Sequence, residues 1–257
     1  MSRLKKKYLL TLGFMMFSVF FGAGNLIFPP ALGQAAGTNT LPAMLGFMTT
    51  GVGLPLLGIM AIALAGGEYV QLLKRRTFPW FATALLVILY LIIGPLFAMP
   101  RTGAVSFEIG IRPFVGAGDV TLPQVIYTAL FFGASYYLSL NPNKLIDRVG
   151  KMLTPALLVV LVILFLRTFW SPMGEVLAPM GAYIDAPYAQ GFQDGYQTMD
   201  LLATIAIGAL VVNAVRYRGV TDTHTIGKAC FAAVFITVFL MACVYGSLAY
   251  LGATSAT

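Results

Sequence analysis

An apolar run near the N-terminus is interrupted by residues that could bind small ligands, in the stretch FFGAGNLIFPPALG, residues 20–33. Gly22, Gly24 and Asn25 lie in its middle, and Pro29 and Pro30 follow. Non-helical backbone at membrane depth survives only where it is buried in protein or lines a polar cavity. Its carbonyls can coordinate a cation, and the next half-helix can face an anion with its N-terminus. We therefore predict a helix break at 22–25 that binds ligands; the alternative is a glycine packing face with a proline kink.

A second candidate break lies in GFQDGYQTMDLLATIAIGALVVNAVR, residues 191–216. Its first part is too polar for an ordinary membrane helix, whereas a clean apolar half begins at Leu201. Thr198, Met199 and Asp200 stand between the two parts, so the break is predicted near 195–201. A carboxylate inside a membrane marks a functional position by default. The alternative is that Asp200 ends a shorter span and contacts water.

The third helical segment carries two further charges, Arg101 and Glu108, within GPLFAMPRTGAVSFEIGI. Arg101 could bind a substrate carboxylate through two hydrogen bonds or pair with Asp200. The alternative is an arginine that extends its charged end to the membrane surface. Glu108 is expected to be a solvated residue near the helix end.

The composition requires that these segments lie in a membrane. Of the 257 residues, 59% are hydrophobic and only 10% are charged, with a mean hydropathy of +0.86. Soluble domains carry roughly 25% charged residues. We predict an all-α protein with seven apolar segments, each long enough to cross a bilayer. They cover residues 8–36, 40–66, 79–110, 122–140, 144–170, 191–215 and 226–251.

Charge distribution predicts the orientation. If the segments alternate, most of the 16 Lys and Arg residues fall on the side of the N-terminus. Cytoplasmic loops carry this excess, so the N-terminus is expected in the cytoplasm. The net charge of +7 thus reflects membrane topology, and no nucleic-acid partner is expected. The sequence contains no P-loop, HExxH or G-x-S-x-G motif, so no enzyme activity is predicted.

Several blocks of the sequence, in order along the chain, resemble one family. They are FFGAGNLIFPPALG, PAMLGFMTTGVGLPLLG, GPLFAMPRTGAVSFEIGI, LSLNPNKLIDRVGKMLTPALL, GFQDGYQTMD and LAYLGATS. They are similar to the bacterial branched-chain amino acid:cation symporters. The resemblance implies uptake of leucine, isoleucine and valine across the cytoplasmic membrane, coupled to Na⁺ or, as the alternative, to H⁺. It also implies the leucine-transporter-like fold, with two inverted repeats of five helices.

The resemblance extends to individual positions, because GAGNLIFP is similar to the Gly-x-Gly-Asn signature of sodium-coupled amino acid transporters. The residues expected at sodium are Ser18, Phe21, Asn25 and Thr198. Those expected at the substrate are Phe20, Gly22, Ala23, Gly24, Arg101, Met199 and Asp200. The chain lacks the arginine usually found between the Asn and the Pro, and Arg101 is a candidate replacement for it.

Family members of this kind have about twelve spans, so the resemblance implies that the sequence covers an incomplete fold. The expected parts are a first five-helix repeat at 1–172, an extracellular loop at 173–190 and the start of a second repeat at 191–257. We expect that this part does not transport by itself. The alternatives are a seven-span receptor, whose external N-terminus the charge pattern contradicts, and an ion channel, for which no filter loop is visible. The sequence does not indicate an oligomeric state.

Overall fold

The computed structural model describes residues 6–115, 119–140, 154–171, 173–217, 219–220 and 222–255, and within them the regular structure is helical. The α-helices are α1 (Lys6–Phe20), α2 (Ala23–Ala36), α3 (Thr40–Met48), α4 (Leu54–Leu64), α5 (Tyr69–Arg76), α6 (Pro79–Leu91), α7 (Ala98–Gly110), α8 (Thr121–Ser139), α9 (Thr154–Trp170), α10 (Pro187–Tyr196), α11 (Asp200–Arg216) and α12 (Thr223–Thr254). Single 3₁₀ turns occupy Gly37–Asn39, Arg112–Phe114 and Gly181–Tyr183, and π-helical turns occupy Thr49–Gly53 and Ile92–Leu96.

The first helical segment is broken between α1 and α2. Phe21 and Gly22 are not helical, and Gly22 has an extended backbone (φ −112°, ψ −172°). The interruption therefore covers residues 21–22 and not the predicted 22–25, because Ala23, Gly24 and Asn25 already form the first turn of α2. Pro29 and Pro30 lie inside α2 without ending it.

The second break separates α10 from α11, which meet at an angle of 46°. Gln197, Thr198 and Met199 connect them, and Met199 adopts the left-handed conformation with φ 65°. A left-handed residue that is not glycine is uncommon and often marks a functional turn. The helix before this break begins at Pro187, earlier than the predicted start at 191.

Two helix pairs pack with their backbones in direct contact through glycines. Helix α2 packs along α12, where Gly33 faces the carbonyl of Ala249 and Gly252 faces the carbonyl of Pro30. Helix α3 packs along α10, where Gly191 faces the backbone of Ala43. Small residues permit such close approach in membrane helix packing. Helix α2 of the first broken segment and helix α10 of the second are thereby held by different partner helices, α12 and α3.

The connecting segment after α9 is attached to the turn between α2 and α3. The amide of Thr38 donates to the carbonyl of Leu177 (3.0 Å), and the amide of Met180 donates to the carbonyl of Ala35 (2.8 Å). Tyr183 donates a hydrogen bond to the carboxylate of Asp194. Burial, followed by this contact with Asp194, raises the pKa of Tyr183 above its ordinary value. The segment before α10 ends at residue 186 and contains the 3₁₀ turn at Gly181–Tyr183, whereas the predicted loop extended to 190. Its extracellular location stays a prediction.

Among the residues that the structure describes, three helical runs are long and apolar enough to cross a membrane, and the bent pair α10–α11 makes a fourth if it counts as one span. The three runs are Ala23–Leu64, Pro79–Phe114 and Thr223–Thr254. The first covers parts of two predicted segments and leaves helical geometry at Gly37 (φ 48°, ψ −122°). Helices α1 and α9 are apolar but shorter, and residues 144–153 of the predicted fifth segment lie outside the described residues. The count of seven crossings stays a prediction.

Candidate functional site

The two helix breaks lie side by side and are joined by a buried hydrogen-bonded triad of Asn25, Asp200 and Tyr245. The side-chain amide of Asn25 donates to Oδ2 of Asp200 (2.7 Å) and also to the hydroxyl of Tyr245. The three side chains are almost completely buried, with exposed fractions of 1%, 5% and 0%. A carboxylate this far from water is costly unless its oxygens are hydrogen-bonded. The triad therefore links the first turns of α2 and α11 to the middle of α12.

Aromatic rings hold the phenol of Tyr245 in place. Its ring contacts Phe47 edge-on (centroids 5.3 Å apart) and lies near Phe21 with almost parallel planes (6.3 Å). Phe21 in turn stacks on Phe17 at 5.2 Å. Phe21 is one of the two residues in the first break, so the ring that supports Tyr245 comes from the break itself.

Arg101 joins α7 to both breaks. Its guanidinium donates to the carbonyl of Gln197 (3.1 Å) and lies 4.8 Å from the ring centre of Phe28. A side chain added at Gly24 would lie 3.0 Å from the guanidinium of Arg101 and close to Thr198. In the part of the chain that the structure describes, no ion pair joins Arg101 to Asp200, and whether the two pair stays a prediction. The side chain of Arg101 is half-buried inside the protein, which argues against an arginine that extends to the membrane surface.

Two helix N-termini converge at the site. Neither α2 nor α11 has a side chain that caps its N-terminus, and Asp200 occupies the first turn of α11. Helix N-termini favour negative charge, which helps to stabilise the Asp200 carboxylate. At the first break, Gly22 is exposed, so the uncapped amides of α2 are accessible from that side. Such amides can bind a carboxylate ligand.

The remaining predicted residues lie in two places, the turn between α10 and α11 and the end of α1. Thr198 donates its hydroxyl to the carbonyl of Gly195 (2.9 Å), and Met199 forms the left-handed turn before Asp200. Phe20 is a buried core residue (2% exposed), and Ser18 is half-buried in the last turns of α1. The roles assigned to these residues stay predictions.

The sequence reasoning missed Tyr245 entirely. It lies in the long apolar helix α12 with no proline or charged residue nearby, and the adjacent Gly246 does not interrupt the helix. The one available signal is physical: a tyrosine buried in a membrane helix needs a partner for its hydroxyl. Glu108 behaves as expected, in an exposed ion pair with Arg112 at 3.3 Å.

The oxygens around Asn25 suit a small hard cation. Carboxylate, amide carbonyl, hydroxyl and backbone carbonyl groups are the ligands that such ions prefer. Within the described part of the chain, no group of three or more His, Cys, Asp or Glu residues could hold a transition metal. A cation here would be cargo in transit, bound by a few neutral oxygens and one carboxylate.

An apolar groove of about 460 Å³ between α9 and α12 is a separate feature. Most of its lining is apolar. Two of its polar side chains bond within their own helices: Ser247 donates to the carbonyl of Cys243 (2.5 Å) and Thr168 to that of Leu164 (2.8 Å). The triad, with its carboxylate and amide, remains the better candidate site for an amino acid.

The fold and the site define a multi-pass, all-α membrane protein with two broken helices that meet at a buried polar cluster. The family model described as "Branched-chain amino acid transport protein" matches residues 5–257. The chain belongs to this family, which confirms the resemblance found in the sequence. The family is one of membrane transport proteins and not of enzymes.

Curated relatives agree. The chain is 52% identical to the branched-chain amino acid permease BraB of Bacillus subtilis, over 95% of this chain and 55% of the relative. It is 46% identical to the branched-chain amino acid transport system 2 carrier protein of Pseudomonas aeruginosa, over 99% of this chain and 58% of the relative. The B. subtilis permease BrnQ is 44% identical, over 98% and 58%. The chain thus spans 55–58% of the length of these relatives. No solved structure matches it.

Proposed function

We propose that the chain carries the binding site of a secondary transporter that imports leucine, isoleucine and valine with Na⁺ as the coupling ion. The observation that carries the proposal is the meeting of the two helix breaks at Asn25 and Asp200 (2.7 Å), with Arg101 fixed across them. Paired discontinuous helices of this kind bind substrate and ion near the membrane midplane in secondary transporters. The printed names of the relatives supply the substrate class.

The substrate carboxylate is placed at the first turn of α2. The amides of Ala23 and Gly24 belong to an uncapped helix N-terminus, and the guanidinium of Arg101 lies next to Gly24. A carboxylate there would receive hydrogen bonds from a helix end and from a cation, which are strong interactions. Gly24 allows the close approach, because a larger side chain would fill the space in front of Arg101.

The coupling ion is proposed to bind beside Asp200 and Asn25, which are more buried than Ala23 and Gly24. The side chains of Asp200 and Asn25 belong to different broken segments, so binding of an ion between them would depend on the relative position of α2 and α11. Thr198 precedes Asp200 on the connecting turn and supplies a further hydroxyl. The apolar side chain of the substrate would contact residues around the breaks, of which Phe20 and Met199 are the predicted members.

The packing of the two halves supports an inverted-repeat arrangement. The first broken segment packs through α2 on α12, and the second packs through α10 on α3. Each broken segment therefore uses the helix that follows the other one in the chain. This exchange is what a two-fold relation between the two repeats requires, and alternating access by movement of one repeat against the other would follow from it. The N-terminus is placed in the cytoplasm by the distribution of Lys and Arg.

The test is equilibrium binding of labelled leucine to the purified chain in lipid nanodiscs, in NaCl and in choline chloride of equal ionic strength. We expect binding in sodium that unlabelled isoleucine and valine displace and that glutamate does not. An Asp200→Asn variant should retain the fold but lose most of the sodium dependence. Equal binding in the two salts would contradict sodium coupling, and no displacement by isoleucine or valine would contradict the substrate class.

A further inference from the structure

The amide nitrogen of Asn25 lies between two side-chain oxygens. It lies 2.7 Å from Oδ2 of Asp200 and also donates to the hydroxyl of Tyr245. An amide nitrogen carries two hydrogens and no acceptor, so both donors are used. The positive end of the amide dipole therefore faces one carboxylate and one phenol oxygen, the kind of environment that would also attract a small cation.

A cation cannot be bound by Asn25 in this orientation. Only the carbonyl oxygen of the amide can coordinate an ion, whereas here the nitrogen points at Asp200. Half a turn about the last side-chain torsion exchanges the two atoms without moving the backbone of α2. The carbonyl oxygen would then face the Asp200 carboxylate, and two acceptors at that distance repel unless a cation lies between them.

We propose that Asn25 is a two-position switch and that Tyr245 is a third ligand of the coupling ion. In one position the amide nitrogen bridges Asp200 and Tyr245, as described above. In the other the amide has turned, and its carbonyl oxygen, the Asp200 carboxylate and the Tyr245 hydroxyl oxygen surround the cation. The inference rests on the proposed function for the identity of the ion, and it adds α12 to the elements that respond to the ion.

Tyr245 is well placed for this role. Its ring is held by Phe21 and Phe47, so its hydroxyl stays at the site when the Asn25 hydrogen bond is lost. Phe21 belongs to the first break, and α12 packs along α2 through Gly33 and Gly252. Helix α12 contacts both α1 and α2, the two helices that the first break separates. A change in the bonding of Tyr245 can therefore alter the packing of both.

The first test is Asn25→Asp, measured as the thermal unfolding midpoint in sodium and in choline without leucine. Aspartate has the same shape but no donor, so two carboxylates face each other unless a cation bridges them. We expect the variant to melt lower than the wild type in choline and to regain the loss in sodium. Its sodium-dependent rise should exceed that of the wild type by about 5 °C or more.

Asn39→Asp is the matched control. Asn39 donates to the carbonyl of Tyr183 (3.0 Å), away from the triad. The same substitution there also removes an amide donor, but its effect on the midpoint should be equal in sodium and choline. If Asn25→Asp responds to sodium no more than Asn39→Asp does, the switch is wrong.

The second test is Tyr245→Phe, which keeps the supporting ring and removes the oxygen. We expect the sodium concentration for half-maximal stabilisation to rise roughly tenfold, as for the loss of one interaction with a charged group. Tyr188→Phe is the control, since its hydroxyl lies away from the triad and contacts that of Thr49 (3.1 Å). An unchanged sodium midpoint in Tyr245→Phe would limit Tyr245 to packing and overturn its assignment as a ligand.

The two proposals fail in different ways. If leucine binds to no variant under any condition while the sodium responses are as expected, the proposed function is wrong and the switch stands. If leucine binding depends on sodium but Asn25→Asp and Tyr245→Phe behave like their controls, the function stands and the switch is wrong.

Discussion

At the scale of single residues, the site is defined by polar groups that have partners inside the protein. Within the described residues, every buried side-chain nitrogen and oxygen has a hydrogen-bond partner. Asp200 is the clearest case, because it is satisfied by a side chain from the other broken segment. The polar cluster thus ties the two segments together as well as offering ligands. A ligand that binds here must therefore replace hydrogen bonds that the protein already makes.

Arg101 supplies the first prediction at this scale. Arg101→Lys keeps the positive charge but loses the planar group that lies over Phe28 and reaches the Gln197 carbonyl. A lysine also cannot bind a carboxylate through two parallel hydrogen bonds. We expect the dissociation constant of leucine to rise about tenfold.

Arg112→Lys is the control for this change. Arg112 forms an exposed ion pair with Glu108, one turn away along the chain, and such pairs contribute little. Leucine binding by this variant should equal that of the wild type. Equal binding by Arg101→Lys would remove Arg101 from the substrate site.

At the scale of helices, the arrangement depends on glycines that let backbones touch. A methyl group at Gly33 would overlap the carbonyl of Ala249 on α12, which cannot move away without shifting the helix. We expect Gly33→Ala to destabilise the fold by about 1–3 kcal/mol, as overpacking of a core does. The measurement is unfolding in a detergent titration followed by circular dichroism.

Gly246→Ala offers the comparison on the same helix. Among the described residues, no atom beyond its own stretch of helix lies within 4 Å of a methyl group added at Gly246, so the change should leave the midpoint unaltered or raise it slightly. If Gly33→Ala is as stable as Gly246→Ala, then α2 and α12 do not pack as closely as described.

The start of α12 gives a prediction that depends on pH. Asp222 caps this helix by accepting from the hydroxyl (2.6 Å) and the amide (2.9 Å) of Thr225. These hydrogen bonds hold the pKa of Asp222 below its ordinary value. The stabilisation is therefore fully present above the ordinary pKa and is lost as the pH falls through the lowered one. Asp222→Ala should melt lower than the wild type at neutral pH, and the two should converge only in acid.

Asp222→Asn separates capping from charge. Asparagine also caps helices but does not titrate in this range, so its midpoint relative to Asp222→Ala should not depend on pH. A gap between wild type and Asp222→Ala that persists in strong acid would contradict the role of the carboxylate.

The sequence predicted the helix breaks better than it predicted what joins them. Gly22 and the proline pair marked the first break, and the change from polar to apolar residues marked the second near Asp200. Both are local signals, since glycine and unpaired polar residues disfavour continuous helix in a membrane. Contacts between distant positions leave no such local signal: the bond from Arg101 to Gln197 spans 96 positions, and Tyr245 is 220 positions from Asn25.

At the scale of the whole molecule, the central claim is that two segments from different halves of the chain form one site for an amino acid and an ion. If so, the two ligands must help each other, because each stabilises the same juxtaposition of α2 and α11. Such coupling is reciprocal: sodium raises the affinity for leucine by the same factor by which leucine raises the affinity for sodium. Typical coupling energies correspond to factors of roughly 5–150.

The most direct measurement is a two-dimensional titration of the purified chain in nanodiscs, with leucine binding followed across a series of sodium concentrations. We predict that saturating sodium lowers the leucine dissociation constant at least about fivefold. Leucine should lower the half-saturating sodium concentration by the same factor, and Asn25→Ala should abolish both effects. A leucine dissociation constant that is the same at every sodium concentration would contradict the account.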